Sequence, residues 1–188
     1  IQMELCDTSI EAMQQQSHPF TLKDMFSILR DVLLALDLLH RNEFVHLDVK
    51  PANILMKSGH YKLGDFGLAI HTRNHRADNV EEGDSRYMAK ELLSWTPVAD
   101  LTKCDIFSLG VTAYEIVTGP VPSNGDGWQR LRNGSIPLTP AAVVPSLQSH
   151  PTPESAPQSY YAGPSLDELC LVLNALMQSE PCDRPRAS

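Results

Sequence analysis

His46-Leu47-Asp48-Val49-Lys50-Pro51-Ala52-Asn53, followed further along by Asp65-Phe66-Gly67, is the stretch on which the reading of this chain turns. Around it lie short apolar runs with strand character: Phe44-Val45, Ile54-Leu55-Met56 and Tyr61-Lys62-Leu63. Lys57-Ser58-Gly59-His60, polar and containing glycine, separates the last two and is expected to be a hairpin loop. Phosphoryl transfer asks for little covalent chemistry from a protein. It needs a carboxylate near the attacking hydroxyl, cations around the phosphates and oxygen ligands for magnesium. Asp48, Lys50, Asn53 and Asp65 supply such a set. The first three fall on one tight loop, a hairpin returns Asp65 beside it, and Asn53 and Asp65 offer oxygens to a hard cation.

Upstream, Leu22, Met25, Phe26, Leu29, Val32, Leu33, Leu36 and Leu39 repeat at helical spacing, with Thr21 placed to cap and Asp24 in the first turn. Such a stripe marks a core helix, at about 1.5–3 kcal/mol per fully buried side chain. Downstream, Asp65 to Glu91 carries charge and little periodicity, and is expected to be a long surface segment. Ile106 to Val117 is apolar nearly all round and stops at Thr118-Gly119-Pro120, so it predicts a helix at the centre of a domain. Seven of the fourteen prolines fall between Pro137 and Pro164, which marks a loop or insert with little core of its own. Ser165-Leu166-Asp167-Glu168 has capping-box spacing and opens a last helix expected to bury Leu166, Leu169, Cys170, Val172, Leu173 and Leu176.

The 188 residues carry 15 Lys and Arg against 23 Asp and Glu, a net charge of −8, which argues against a nucleic-acid binder or an anionic-membrane binder. With 42% hydrophobic residues, one packed core is within reach. Cys6, Cys104, Cys170 and Cys182 show no CxxC pair, so free thiols in a reducing, intracellular compartment are expected. The longest apolar run, Val32 to Leu39, is interrupted by Asp37 and too short to cross a bilayer. No signal peptide or initiator Met opens the chain, which suggests part of something longer.

His46 to Asn53 and Asp65-Phe66-Gly67 together resemble the protein-kinase catalytic loop HRDxKxxN and the metal-binding DFG. The resemblance covers essentially the whole chain. It implies a protein-kinase-like α+β fold, here a mainly helical C-lobe with a small antiparallel catalytic-loop sheet and no N-lobe. Residues 1–8 would be the last N-lobe strand and the hinge, with Met3 as gatekeeper and the backbone of Glu4 and Cys6 holding adenine. Met3 also reads as an ordinary core methionine. Residues 9–188 would be the C-lobe, with activation segment 65–91 and Pro-rich insert 137–164, ending where a last helix should begin. ATP and Mg²⁺ are the implied cofactors: Asp48 would accept the substrate proton, Lys50 steady the phosphate, and Asn53 and Asp65 hold the metal.

Within kinases, the chain resembles the Wee family, and specifically the membrane-associated branch that phosphorylates tyrosine and threonine on cyclin-dependent kinases. His46 to Asn53, Lys62 to Leu68, Glu82-Gly83-Asp84-Ser85-Arg86-Tyr87-Met88-Ala89 and Gly127-Trp128-Gln129-Arg130-Leu131-Arg132 carry this likeness. It implies an enzyme that delays mitotic entry from the nucleus, the cytoplasm or the cytoplasmic face of endomembranes. Glu91, in Ala89-Lys90-Glu91, is expected to pair with Arg184, and Asp105 to brace the catalytic loop; these roles, like that of His46 as a hydrogen-bonded core residue, are structural. Leu47 stands where many kinases have the arginine that gathers a phosphorylated activation loop. Glu82 and Asp84, with Arg86 nearby, offer internal pairing instead, or a solvated charge run. Trp128 reads as a packing anchor or a substrate contact, and His71, Arg73, His75 and Arg76 as a solvated basic cluster or a site for an acidic patch. A conventional Ser/Thr kinase and a non-catalytic kinase-like module are the alternatives.

Overall fold

A computed structural model describes residues 3–74, 83–93, 99–135, 138–143, 147 and 164–187. The segment at 75–82, with Glu82, His75 and Arg76, and most of the Pro-rich stretch lie outside the described residues.

The chain begins with a short strand, β1 (Thr8–Ser9), and a one-and-a-half-turn helix, α1 (Ile10–Gln15), which the sequence reading did not foresee. Ser9 caps α1 by accepting from the Ala12 amide at 3.2 Å. The long helix α2 (Leu22–Arg41) starts in a full capping box: Thr21 Oγ1 accepts from the Asp24 amide, and Asp24 Oδ2 accepts from the Thr21 amide at 2.8 Å. Met25, Ile28, Leu29, Val32 and Leu36 are its buried stripe. Leu22, Phe26, Leu33 and Leu39 are half-buried at its margins.

After α2 come β2 (Phe44–Val45), β3 (Ile54–Lys57), β4 (His60–Leu63) and β5 (Ile70–His71). β3 and β4 pair antiparallel with Lys57 opposite His60, so the connection is the two residues Ser58-Gly59 rather than the four expected. Both have positive φ, 50° and 80°, the geometry that matches a two-residue turn to the twist of its strands. β1 adds to the other edge of β3, with Thr8 opposite Met56, so strand pairing falls at the end of the stretch expected to be strand and hinge. β2 pairs with β5 as a separate ribbon, which brings part of the supposed loop after Asp65 into regular structure.

The central helix α3 (Thr102–Thr118) begins four residues before the predicted start, and only Thr102, Tyr114 and Thr118 escape burial. α4 (Gly125–Arg132) and α5 (Pro140–Val143) follow, then α6 (Leu166–Leu176), capped by Ser165 with Glu168 as expected. α6 buries Leu169, Cys170, Leu173 and Leu176, leaving Leu166 and Val172 half-exposed at its edges. Gly110 lets α3 and α6 meet: a Cβ there would lie 2.7 Å from Met177 Cγ and 2.9 Å from Leu176 Cβ. Leu138 and Val143, inside the Pro-rich stretch, are buried against this core. All four cysteines are free thiols, and no described helix is long and apolar enough to cross a membrane.

Candidate active site

α3 is apolar around most of its surface, yet Asp105, Ser108, Thr112 and Glu115 fall on one buried stripe at steps of three and four residues. Each of the four holds a piece of the site. Asp105, fully buried, accepts from the His46 amide (2.9 Å) and the Leu47 amide (2.8 Å), and lies 2.8 Å from His40 Nε2. Thr112 donates to the Val49 carbonyl at 3.3 Å. Ser108 donates to the Tyr87 carbonyl at 2.9 Å, and Glu115 accepts from the Tyr87 hydroxyl at 2.7 Å. Asp105 was legible from the sequence; Ser108, Thr112 and Glu115 were missed. Their signal is a polar residue recurring at helical spacing in an otherwise apolar helix.

The catalytic loop is thereby fixed in a shape it would not adopt alone. Leu47 sits at φ 63°, a left-handed conformation unfavourable for a branched side chain, and its amide is spent on Asp105. His46 is fully buried, with Nε2 against the Gly64 carbonyl at 3.1 Å and Nδ1 accepting from the Asp48 amide at 3.3 Å. A carbonyl can only accept and an amide only donate, so the ring is the neutral Nε2–H tautomer. Burial pushes its pKa below the ordinary value, outweighing the charges of Asp105, Asp48 and Asp65.

Asp48 is held from two sides. Its Oδ2 takes Lys50 Nζ at 2.8 Å and Asn53 Nδ2 at 2.8 Å, and the same amide nitrogen also donates to the Asp48 carbonyl. Its Oδ1 faces Gly83, where a Cβ would come within 3.4 Å of it and 3.1 Å of the Leu47 carbonyl. The amide nitrogen of Asn53 is therefore committed to Asp48, while its Oδ1 has no partner among the described residues. Gly64 donates to the Asn53 carbonyl at 2.9 Å, which sets Asp65 next to that asparagine. Asp65 is exposed at φ 60°, and among the described residues its side chain is bonded only through Oδ1, to the Gly67 amide at 3.2 Å. Phe66, half exposed, touches His46 edge-on. An unengaged asparagine oxygen and a carboxylate with one oxygen still unengaged suit a hard divalent cation whose other ligands are phosphate and water.

Beyond the loop, Asp84 and Arg86 form a bidentate pair, shortest at 2.6 Å. Burial would raise the Asp84 pKa, but hydrogen bonds from Arg86 and the nearby Lys50 hold it below the usual range. Glu91 pairs with Arg184, whose guanidinium also bonds the carbonyls of Gln178, Ser179 and Lys103. Lys90, standing where kinases have proline, bonds Ser179 and Glu180. At the other end, Met3 is 82% exposed in this chain, and residues 3–6 lie in no strand. Glu4 is held by Lys57 (3.2 Å) and Lys62 (2.7 Å), and no hydrogen bond engages the backbone of Glu4 or Cys6 among the described residues. His71 and Arg73 face Glu43, so the described half of the basic cluster is paired.

A protein kinase domain family model matches residues 1–188, and the chain belongs to the protein kinase family. Relatives within that family include Wee kinases. It is 38% identical, over 98% of its length, to the membrane-associated tyrosine- and threonine-specific cdc2-inhibitory kinase wee-1.3 of Caenorhabditis briggsae. It is 42% identical over 74% of its length to a Wee1-like protein kinase of Arabidopsis thaliana. Against the mitosis inhibitor protein kinase wee1 of Schizosaccharomyces pombe it is 34% identical over 98%. The chain spans 25%, 28% and 21% of these relatives' own lengths.

Proposed function

We propose that the protein of which this chain is the catalytic lobe transfers the γ-phosphate of ATP to tyrosine and threonine of a cyclin-dependent kinase, inhibiting it and delaying mitotic entry. One observation carries the chemistry: Asp48 is gripped through Oδ2 by Lys50 and Asn53, while its Oδ1, beside Gly83, takes no hydrogen bond among the described residues. In the reaction the substrate oxygen attacks the γ-phosphorus, the bond to the β,γ-bridging oxygen breaks, and ADP leaves. Asp48 Oδ1 orients the hydroxyl and takes its proton, a role typically giving about 10²–10⁴-fold. Lys50, which pairs with Asp48 Oδ2, would steady the transferring phosphate. Asn53 Oδ1 and the Asp65 carboxylate would hold magnesium, which when bound neutralises charge on the phosphates. The free backbone groups of Glu4 and Cys6 would hold adenine beside Met3.

The cyclin-dependent kinase as target, and action at a membrane, rest on the likeness to membrane-associated cdc2-inhibitory relatives; action in the nucleus or the cytoplasm is the wider expectation of the family resemblance. The test is incubation of the full-length protein with labelled ATP and an inactivated cyclin-dependent kinase–cyclin complex, followed by phosphoamino-acid analysis. Phosphotyrosine and phosphothreonine that vanish with Asp48→Asn are expected. Phosphoserine alone would make it a conventional Ser/Thr kinase, and no transfer would make it a binding module.

A further inference from the structure

Arg132, at the end of α4, is 2% exposed and no carboxylate pairs with it among the described residues. Burying an unpaired guanidinium is costly, so its remaining contacts matter. The guanidinium carbon lies over the Trp128 ring, 3.8 Å from the centroid, and Nη1 donates to the Trp128 carbonyl at 3.2 Å. Nη2 reaches out of the helix to two carbonyls, Ser85 at 2.5 Å and Arg86 at 3.0 Å, while Nε has no partner among the described residues. The Ser85 carbonyl also accepts from Trp128 Nε1 at 3.1 Å. Two donors thus converge on one peptide, and burial alone depresses the Arg132 pKa to about 10.

That peptide directly follows the residues that wall the reacting centre. Gly83 packs against Asp48 Oδ1 and the Leu47 carbonyl, and Asp84 feels Lys50. From the other side Ser108 and Glu115 hold Tyr87. We infer that Trp128 and Arg132 form a latch on the Ser85–Arg86 backbone that sets the distance of Gly83 and Asp84 from Asp48, making them positioning residues for the protein substrate. The cation-π stack prepays the orientation of the guanidinium, and the two carbonyls, which carry no side-chain identity, make the latch independent of what stands at 85 and 86. The inference rests on the kinase reading for its effect on substrate, but not for its effect on the segment.

The experiment uses full-length protein with Arg132→Met, Arg132→Lys and Trp128→Phe, reading steady-state kinetics and amide hydrogen exchange. Arg132→Met is expected to raise KM for the protein substrate by about tenfold or more, with KM for ATP unchanged within about twofold. Exchange at 84–88 should rise about tenfold while α3 stays protected. Arg132→Lys, which keeps one donor, should recover part of both, and Trp128→Phe should give a smaller rise. An unchanged substrate KM overturns the inference, as does exchange that rises equally in α3, the mark of a folding role alone. Should the wild type transfer no phosphate, the kinase reading fails; the exchange pattern then decides the latch by itself, and no rise at 84–88 overturns it.

Discussion

The catalytic loop at 46–53 and the Asp65-Phe66-Gly67 turn supply the two halves of one site, yet the chain treats them differently. His46, Asp48 and Asn53 are 0%, 8% and 6% exposed and hang from α3 through Asp105 and Thr112. Asp65 is exposed, Phe66 is 52% exposed, and the turn is held by the Gly67 amide on Asp65, the Ala69 amide on the Phe66 carbonyl and an edge contact to His46. The half that would place the proposed proton acceptor is built into the core, where geometry is fixed before substrate arrives. Of the two groups that would meet a cation, Asn53 shares that buried half and Asp65 lies on the exposed turn.

The contrast breaks at several points if it is wrong. Asp48→Asn, which keeps the shape but removes the base, should lower kcat of the full-length enzyme by about 10²–10⁴ with its melting temperature held; a loss under about tenfold would remove Asp48 from proton transfer. Asp105→Ala strands two buried amides and His40, and should cost about 3–5 kcal/mol in urea melts, as should Glu91→Ala by stranding Arg184. A cost below about 1 kcal/mol at Asp105 would mean the loop holds itself. Thr112→Val removes one hydrogen bond of the same brace and should cost about 1 kcal/mol.

The smallest effect is on pH. Because burial lowers the His46 pKa from its ordinary 6.5, the folded state binds this proton more weakly than the unfolded state. Its contribution is present above 6.5 and is lost as pH falls through that value toward the folded pKa. Urea melts from pH 7.5 to pH 5 should therefore fall more steeply for wild type than for His46→Gln, and parallel curves would contradict the neutral buried ring.

Much of this arrangement can be read from the residues. Thr21 with Asp24, and Ser165 with Glu168, announce their helices because capping is local chemistry. The loop and its Asp65 partner announce themselves because a hairpin leaves few ways to join them. α1 was hidden by being one and a half turns long, too short for a period to declare itself in Ile10–Gln15. Ser108, Thr112 and Glu115 were hidden because their partners are backbone carbonyls or a tyrosine hydroxyl distant in sequence, and such pairings exist only once the chain has folded. The Trp128–Arg132 latch was half visible: the aromatic stood out, but nothing local says that an arginine four residues on will be buried against Ser85.

The most direct measurement is turnover and thermal stability of full-length Asp65→Ala, side by side with wild type. An exposed metal-side residue on a folded scaffold predicts activity below about a tenth of wild type with an unchanged melting temperature. Activity above that level would take Asp65 out of the site, and a lowered melting temperature would show that the turn belongs to the core after all.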